Sequence, residues 1–348
     1  MKKENKLGNV IKFLLIVAIA IGAIAFFRGK GNTTHENVVK EENKTKDLVA
    51  PVLEIGDESI VIAVGNSFDK LEGVTANDDI DGDISSKVTT EGELDTQTVG
   101  NYELKYVVSD NGGNKVEKTK KIEVREKLTT GLPVLMYHFF YDATTPPPTT
   151  DGNFIEVKAF EEQLKYLKDN NYYFPTWTEV EKYVDKEINL PAKSLVITVD
   201  DGDESFFKYA VPLLQKYDIT ATSFVIGAWY GWRAAPENRQ KNVSYQSHSY
   251  DMHESGAGGE PRMKIWSKDK MVQDIQTSYS ELNEEEKVFC YPFGQYNDTS
   301  VQAVKDAGSI LAFTTEGGKV FPGANKYLLP RVRIYKGISL NTFISRIQ

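Results

Sequence analysis

The sequence predicts an α/β domain, preceded by a small all-β domain and, at the N-terminus, by a membrane segment. Three patterns lead to this prediction. From about residue 127 short apolar runs alternate with segments of helical spacing, residues 48–126 contain short runs of alternating polarity, and residues 13–27 carry no charge. Strand and helix in alternation indicate a parallel sheet, either open or closed into a barrel. A chain of 348 residues suits two globular units.

The N-terminal segment is predicted to meet a membrane. Four lysines precede the uncharged run at residues 13–27, and two basic residues follow it closely, which predicts the N-terminus inside the cell and the rest outside. The run is short for a membrane span and long for a signal-peptide core, and the AIA sequence at residues 23–25 could be a cleavage site. Because Lys12 can reach the interface and lengthen the span, we favour an uncleaved anchor over residues 1–27, with secretion after cleavage as the alternative.

The segment that follows the membrane run predicts a linker and then a β-sandwich. Residues 28–47 are polar and cannot bury enough surface to fold. In YELKYVVSD (102–110) the apolar residues stand at every second position, as in a half-buried strand. The runs SIVIAV (59–64) and KTKKIEV (118–124) predict two more strands, with turn clusters between them. We therefore expect a small all-β domain over residues 48–126.

This all-β segment also resembles a known kind of module. From APVLEIGDESIVIAV to NGGNKVEKTKKIEV, it resembles bacterial immunoglobulin-like (Ig-like) surface modules across nearly its whole length. The resemblance implies a spacer or adhesive module without catalytic chemistry, in contact with the cell wall or an extracellular matrix.

The acidic stretch NDDIDGDI, residues 77–84, allows two interpretations. Asp79, Asp81 and Asp83 stand at alternate positions and could bind calcium. The stretch lacks the downstream glutamate that completes an EF-hand loop. We therefore predict a turn between two strands.

Composition excludes several classes of function. The chain has 50 Asp and Glu against 41 Lys and Arg, a net charge of −9, which argues against a nucleic-acid partner. Its single cysteine, Cys290, excludes an intramolecular disulfide and a cysteine-rich zinc site. Any metal site must therefore use histidine and carboxylate ligands.

Two adjacent aspartates, Asp200 and Asp201, follow the apolar run LVITV. Active sites of open α/β sheets and of barrels lie at the carboxyl ends of the strands, where this pair stands. The pair alone leaves other interpretations open. It could be solvated while Asp203 or Glu204 caps the next helix, or Asp200 could act with one of these acids in a glycosidase.

Histidines make a metal site the favoured interpretation. Beyond the linker the chain has only His138, His248 and His253, and the last two occur together in QSHSYDMHESG. A spacing of five does not align two side chains on one helix face, so we expect a loop that turns both imidazoles inward. Two histidines and one aspartate form a complete ligand set for a catalytic divalent metal.

These motifs resemble a known enzyme family. The sequences LMYHFF, TVDDGD, SHSYDMH and CYPFGQYN occur in this order and are similar to polysaccharide deacetylases with a NodB-like catalytic domain, carbohydrate esterase family 4. The resemblance covers residues 131 to 335 and is greatest to the branch that acts on poly-N-acetylglucosamine. It implies a distorted (β/α) barrel, within a catalytic domain that we place at residues 127–348.

The resemblance also implies a role for each matching residue. Asp201, His248 and His253 would bind the metal, Zn²⁺ in the first place and otherwise Co²⁺ or Ni²⁺, and Asp200 would be the general base. The general acid would be His138. The backbone N–H of Phe293, in the CYPFG motif with Tyr291, would stabilise the oxyanion of the tetrahedral intermediate.

Three features add to or depart from the family pattern. The arginine that orients the base in many members is replaced here by Cys290, and Arg331 or Arg333 is expected to supply the positive charge instead. No histidine follows His253, so the role of general acid depends on His138. Aromatic residues near the metal loop suit sugar rings or packing, namely Trp229, Tyr230, Trp232 and Trp266.

The sequence as a whole thus predicts a metal-dependent, hydrolytic N-deacetylase. The expected substrate is an extracellular N-acetylglucosamine polymer, either poly-N-acetylglucosamine or peptidoglycan, with acetate as product. The alternative from a different class is a glycan-binding surface adhesin with an inactive deacetylase domain. The expected location is the cell membrane, with one span and an extracellular catalytic domain.

Overall fold

A computed structural model describes residues 47–348 of the chain. The predicted membrane segment, residues 1–27, and residues 28–46 of the predicted linker lie outside these described residues. Within residues 47–348, none of the helices combines the length and the apolar character needed to cross a membrane.

The first part of the described chain is the predicted β-sandwich. One sheet has the order β1-β3-β4 and the other the order β2-β7-β6-β5, in which the parallel pair β2 and β7 stands at one edge. The strands are β1 (Val52–Glu54), β2 (Ser59–Ala63), β3 (Thr75–Asp78), β4 (Gly82–Asp83), β5 (Thr89–Glu91), β6 (Gly100–Ser109) and β7 (Lys115–Arg125).

Alternating side chains of these strands form the core of the sandwich. On β6, Leu104, Tyr106 and Val108 are buried, as period-two alternation requires for a strand with one covered face. On β7, Ile122 and Val124 are buried in the same cluster. The predicted strand runs are confirmed, and the predicted turn joins β3 to β4.

The second part of the described chain contains a closed barrel of parallel strands in the order β11-β12-β13-β14-β15-β16-β8. A separate parallel pair, β9 and β10, lies beside it. The strands are β8 (Val134–Tyr137), β9 (Phe139–Tyr141), β10 (Phe154–Glu156), β11 (Val196–Val199), β12 (Ala221–Val225), β13 (Val243–Ser247), β14 (Val288–Cys290), β15 (Leu311–Gly317) and β16 (Leu329–Arg333). The predicted α/β class is confirmed.

Helices cover the outside of the barrel. On α1, Phe160, Leu164 and Leu167 recur at helical spacing and are all buried. The N-terminus of α2 has a capping box, because Thr176 and Glu179 each accept a hydrogen bond from the other's backbone N–H. The helices are α1 (Val157–Asp169), α2 (Trp177–Val184), α3 (Val211–Tyr217), α4 (Gly227–Tyr230), α5 (Arg262–Ile265), α6 (Lys268–Leu282), α7 (Asp298–Asp306) and α8 (Leu340–Ile347).

The sandwich contacts the barrel at the amino ends of the barrel strands. Asn66 and Asn189 exchange two hydrogen bonds of 2.9 and 2.8 Å between side chain and backbone. Arg125, at the end of β7, donates to the carbonyl of Asn171 at 2.9 Å. Asn189 precedes β11, whereas Asp200 follows it. The sandwich therefore lies at the end of the barrel opposite to the strand ends that carry the predicted site.

Candidate active site

A small open cavity of about 180 Å³ lies at the carboxyl ends of the barrel strands. It collects side chains from several strand ends, because parallel strands of a barrel all finish at the same edge. Most of the residues that the sequence singled out line this cavity. The lining residues are His138, Phe139, Asn153, Asp200, Asp201, His248, His253, Tyr291, Phe293 and Thr315.

Asp201, His248 and His253 come together at the base of this cavity. Nε2 of His248 lies 3.6 Å from Oδ1 of Asp201, and Nε2 of His253 lies 3.4 Å from the same oxygen. Ligands about 2.0–2.1 Å from a tetrahedral zinc ion are about 3.4 Å apart. The three side chains therefore fit one divalent cation without rearrangement of the backbone.

A hydrogen bond fixes the orientation of His248. Its Nδ1 lies 2.8 Å from the carbonyl oxygen of Cys290, so Nδ1 carries the proton and donates it. The lone pair of Nε2 then faces Asp201, as a metal-binding imidazole requires. Burial lowers the pKa of His248 to about 3, which keeps the ring neutral at physiological pH.

Asp200, His248 and Cys290 also place potential ligand atoms within 4.8 Å of one another. Arg331 argues against a second cation there, because its guanidinium already contacts both Asp200 and the sulfur of Cys290. Burial raises the pKa of the Cys290 thiol well above its usual value, so the thiol stays protonated and is a poor ligand.

Arg331 holds Asp200 in a bidentate ion pair. Nη1 and Nη2 of Arg331 lie 2.7 Å from the two oxygens of Asp200, in the fork geometry typical of arginine with a carboxylate. The other donors contact the carbonyl of Thr314, the hydroxyl of Thr198 and the sulfur of Cys290. Each N–H of the fully buried guanidinium therefore has an acceptor.

The choice between the two predicted arginines is thereby settled. Arg331 lies on β16 with its side chain inside the barrel, whereas Arg333 is exposed and donates to Asn153 at 2.7 Å. Arg331 supplies the positive charge that the replacement by Cys290 removes from the family motif. Arg333 has no contact with Asp200.

The two adjacent aspartates have opposite electrostatic environments. Burial alone would raise the pKa of Asp200, but the charge and hydrogen bonds of Arg331 outweigh it and hold this pKa well below its usual range. Burial and the neighbouring charge of Asp200 raise the pKa of Asp201 to about 7. Asp201 has no cationic side chain of its own, so a bound metal would provide the missing positive charge.

A tight turn directs the two aspartates to different partners. Asp201 and Gly202 both have positive φ, 76° and 83°, and the turn separates their side chains at the end of β11. A side chain at position 202 would come within 3.3 Å of Val225 and 3.4 Å of Tyr230. Glycine is therefore favoured there both by conformation and by space.

His138 follows β8 and lies at the side of the cavity. Its Nε2 is 3.8 Å from Oδ2 of Asp200, beyond a direct hydrogen bond. Burial lowers the pKa of His138, although the charge of Asp200 opposes this change. The predicted general acid therefore lies beside the predicted base, with a neutral imidazole in the resting protein.

The CYPFG motif forms a second tight turn at the cavity. Phe293 and Gly294 have φ of 57° and 67°, and the ring of Phe293 lies 4.1 Å from that of His253. Among residues 47–348, no acceptor takes the backbone N–H of Phe293. A side chain at Gly294 would overlap Thr315, at 2.0 Å from its hydroxyl, so this close approach requires glycine.

Tyr291 lines the cavity but is almost wholly buried. Its hydroxyl has no hydrogen-bond partner among the described residues, and burial raises the pKa of that hydroxyl. The ring packs against Phe289 and Tyr296. Tyr291 thus supports the floor of the cavity, and its hydroxyl is a candidate for a hydrogen bond with a bound polar group.

Sequence reasoning missed Asp274, which holds the loop that carries the two histidines. Its carboxylate lies on α6 and accepts the backbone N–H groups of Tyr250 and Asp251, each at 2.8 Å. Burial raises the pKa of Asp274 to about 6. Its sequence position resembles that of any charged helix residue, so only the tertiary structure reveals it.

The expectation for Trp266 is wrong, because this residue does not line the cavity. Its ring packs over Lys270, with Nζ 3.5 Å from the ring centre, and near the guanidinium of Arg262. The aromatic side chain nearer the site is Trp229, which is 47% exposed and meets His253 edge-on at 6.0 Å between ring centres.

Comparisons with known proteins agree with this geometry. Residues 187–311 match the polysaccharide deacetylase family, and residues 54–124 match the Ig-like domain of bacterial surface proteins. The putative polysaccharide deacetylase YxkH of Bacillus subtilis is 29% identical over 225 residues, which cover 62% of this chain and 76% of that protein. A poly-beta-1,6-N-acetyl-D-glucosamine N-deacetylase of Staphylococcus aureus is 29% identical over 196 residues, 52% of this chain and 67% of that protein.

Solved structures show the same fold. The deacetylase PplD of Streptococcus pyogenes, solved in complex with acetate, has a TM-score of 0.53 and 26% identity, over 63% of this chain and 100% of that one. IcaB from Ammonifex degensii has a TM-score of 0.52 and 24% identity, over 62% and 95% of the two chains. The barrel with its Asp-His-His cluster therefore resembles the polysaccharide deacetylases, a hydrolase family, in sequence over residues 187–311 and in fold, and the sandwich before it resembles the bacterial Ig-like domain.

Proposed function

We propose that this chain removes acetyl groups from an extracellular N-acetylglucosamine polymer by metal-dependent hydrolysis. One observation carries the proposal. Three side chains suited to bind a metal lie in one cavity, and an ionised carboxylate lies beside them. Asp201, His248 and His253 provide the ligands, and Asp200 provides the carboxylate.

The donor set favours zinc. Two imidazole nitrogens and one carboxylate oxygen, at distances that suit a tetrahedral ion, leave room for water and substrate, and Co²⁺ or Ni²⁺ would bind similar donors. When bound, the cation would polarise the acetamide carbonyl and make water more acidic.

Asp200 is placed to act as the general base. It lines the cavity, and Arg331 keeps it ionised at neutral pH. Because Arg331 fixes both oxygens, the carboxylate has one orientation and loses no further freedom during the reaction. Asp200 would take the proton of the attacking water through a remaining lone pair.

Phe293 and His138 would serve the later steps. The N–H of Phe293 has no acceptor among residues 47–348 and would donate to the oxyanion as it forms. The leaving amine needs a proton, and His138 lies at the cavity to give it. The separation of 3.8 Å between His138 and Asp200 would allow a proton taken by the base to reach the acid after a small shift.

The relatives support the substrate class. One curated relative is a poly-beta-1,6-N-acetyl-D-glucosamine N-deacetylase, and the exposed rings of Trp229 and Phe293 beside the metal ligands suit a sugar face. We propose poly-N-acetylglucosamine as the substrate, with peptidoglycan as the alternative polymer. No nucleic-acid partner is expected for a chain of net charge −9.

We further propose a location at the outer face of the cell membrane. The uncharged run at residues 13–27, with lysines before it, would anchor the chain with one span, or would direct its secretion if cleaved. The Ig-like module would then separate the barrel from the anchor and contact the cell wall or matrix.

A panel of polymers tests the proposed function. The purified full chain, loaded with zinc, would be incubated with poly-N-acetylglucosamine, peptidoglycan and chitin oligomers, and both acetate and free amines would be measured. We expect equal release of acetate and amine from at least one polymer, no chain cleavage, and loss of activity with a chelator. Asp200→Asn, which preserves shape, is the matched inactive control. The absence of acetate from every polymer, with the metal shown to be bound, would refute the proposal.

A further inference from the structure

Three carboxylates from distant parts of the chain meet at one end of the Ig-like module. Asp47 is the first described residue, Asp78 ends β3, and Asp110 follows β6. Each places a carboxylate oxygen within 4.8 Å of the other two. The approach is close: a side chain at Gly112 would come 2.8 Å from Cβ of Asp47 and 3.2 Å from Oδ1 of Asp110.

Asp78 has one oxygen without a partner. Its side chain is only 9% exposed. Oδ2 accepts the backbone N–H groups of Ile80 and Asp81, both at 2.9 Å, whereas the buried Oδ1 has no hydrogen-bond partner among the described residues. A buried, unpaired oxygen costs free energy, and in native proteins it points to a partner such as an ion or water.

Among the described residues, no cation pairs with this cluster. Within residues 47–348, no lysine, arginine or histidine forms a salt bridge with Asp47, Asp78 or Asp110. The nearby Lys87 contacts Asp81 instead, at 3.9 Å. Asp110 receives uncharged donors, among them the backbone and side-chain N–H groups of Asn114. Three like charges in such close contact favour the binding of a cation.

We propose that Asp47, Asp78 and Asp110 bind a calcium ion. Calcium takes oxygen ligands at about 2.3–2.6 Å, so two ligands of one ion lie at most about 5 Å apart, as these carboxylates do. All three donors are oxygens, which excludes the nitrogen and sulfur sites preferred by zinc. Carboxylates on three separate segments also suit the flexible coordination of calcium better than the strict octahedron of magnesium.

This site differs from the calcium loop weighed from the sequence. Of the alternating acids in NDDIDGDI, Asp81 accepts hydrogen bonds from Asn111, and Asp83 accepts them from Ser85. Asp83 therefore stabilises a local turn, and Asp81 connects its own turn to Asn111, 30 residues further along the chain. The stretch instead contributes Asp78, whose two partners are distant in sequence.

The ion would connect the first described residue of the chain to the turns that follow β3 and β6. The cluster lies where β7 begins, and Arg125, at the other end of β7, contacts the barrel. Eleven residues of strand span about 35 Å. Calcium would thus stiffen the end of the module that is remote from the barrel, where the chain arrives from its N-terminal segment.

Calcium titration of the full chain tests the inference. Isothermal titration calorimetry would use the zinc-loaded chain, and thermal unfolding would be followed with and without calcium. We expect one calcium ion per chain, a dissociation constant of about 10⁻⁴–10⁻³ M and a higher unfolding temperature with calcium. Asp78→Asn and Asp110→Asn should weaken binding at least tenfold. Asp47→Asn is a third variant, because the one hydrogen bond that Asp47 accepts from residues 47–348 is local, from the N–H of Val49, and we expect its replacement to leave the fold intact.

Two controls locate the ion. Asp79→Asn changes an exposed acid next to the cluster and should leave calcium binding unchanged, and Asp201→Asn should do the same while it removes the catalytic metal. No calcium binding by the unaltered chain up to about 10 mM, ten times the expected upper limit, would overturn the inference. Equal loss in Asp79→Asn and Asp78→Asn would also overturn it, because general surface charge would then explain the binding.

Discussion

Arg331 donates two hydrogen bonds of 2.7 Å to the carboxylate of Asp200 in the interior of the barrel. The pair is fully buried, and each charge cancels the other. Removal of one partner from such a pair leaves an uncompensated buried charge, which is far more harmful than the loss of a surface ion pair.

Arg331→Ala should therefore lose both activity and stability. We expect kcat/KM to fall at least a hundredfold and the free energy of unfolding to fall by about 3–5 kcal/mol, measured by acetate release and by urea unfolding. Arg333→Ala is the matched control, because the side chain of Arg333 is exposed and donates a hydrogen bond to Asn153. Zinc content should stay at one ion in both variants. Normal activity in Arg331→Ala would show that Asp200 needs no partner.

The variants Asp200→Asn and Asp201→Asn should distinguish the role of general base from the role of metal ligand. Asp201 faces His248 and His253, so its amide variant should lose metal affinity at least tenfold, as measured by calorimetry. Asp200→Asn should keep the metal and lose kcat by a factor of about 10²–10⁴. If both variants lost the metal alike, the division of roles would be wrong.

His138→Gln should lower kcat much more than it raises KM. A general acid contributes about 10²–10⁴-fold to rate, and His138 lies 3.8 Å from Asp200 outside the cluster of Asp201, His248 and His253. Burial lowers the pKa of His138, so the limb of the kcat profile that depends on it should disappear in the variant. An unchanged pH profile would assign the acid to another group.

Asp274 should make stability depend on pH. Its pKa rises from 3.8 to about 6 on folding, so the folded state holds the proton more tightly. Its contribution to stability is fully present below the unfolded pKa and is lost as the pH rises through 6. The free energy of unfolding of the unaltered chain and that of Asp274→Asn should be compared from pH 4 to pH 7. The difference in favour of the unaltered chain should decrease by at most roughly 3 kcal/mol over this range.

Asp269→Asn provides the control for this measurement. Asp269 is exposed in the first turn of the same helix, and Asp269→Asn makes the same chemical change at a carboxylate that does not hold the histidine loop. A difference for Asp274→Asn that does not change with pH would show that its carboxyl is not protonated on folding.

The site could be predicted from sequence wherever a residue ends a strand. Asp200 and His138 follow apolar runs, and parallel strands bring such positions to one edge. The sequence left two arginines, Arg331 and Arg333, as possible partners of Asp200. Only the structure shows which of the two side chains on β16 points into the barrel. Trp266 was misplaced, because aromatic residues near a motif in sequence need not face its cavity.

Other contacts depend on tertiary structure alone. Asp274 lies on a surface helix, and nothing in its neighbours marks it as the support of a loop. The cluster of Asp47, Asp78 and Asp110 joins three segments up to 63 residues apart, as the residue numbers show, so no spacing rule applies. Pattern reasoning weighed only Asp79, Asp81 and Asp83 as calcium ligands, because they are close in sequence, and favoured a turn there instead.

The attachment of the Ig-like module to the amino ends of the barrel strands affects how a long glycan could be bound. Among the described residues, those that line the cavity lie between positions 138 and 315, so the barrel's own loops form its rim. A polymer could cross this rim with both of its ends continuing into solvent. Such an open arrangement favours attack at internal sugars along a chain over removal of acetyl groups from a terminal sugar.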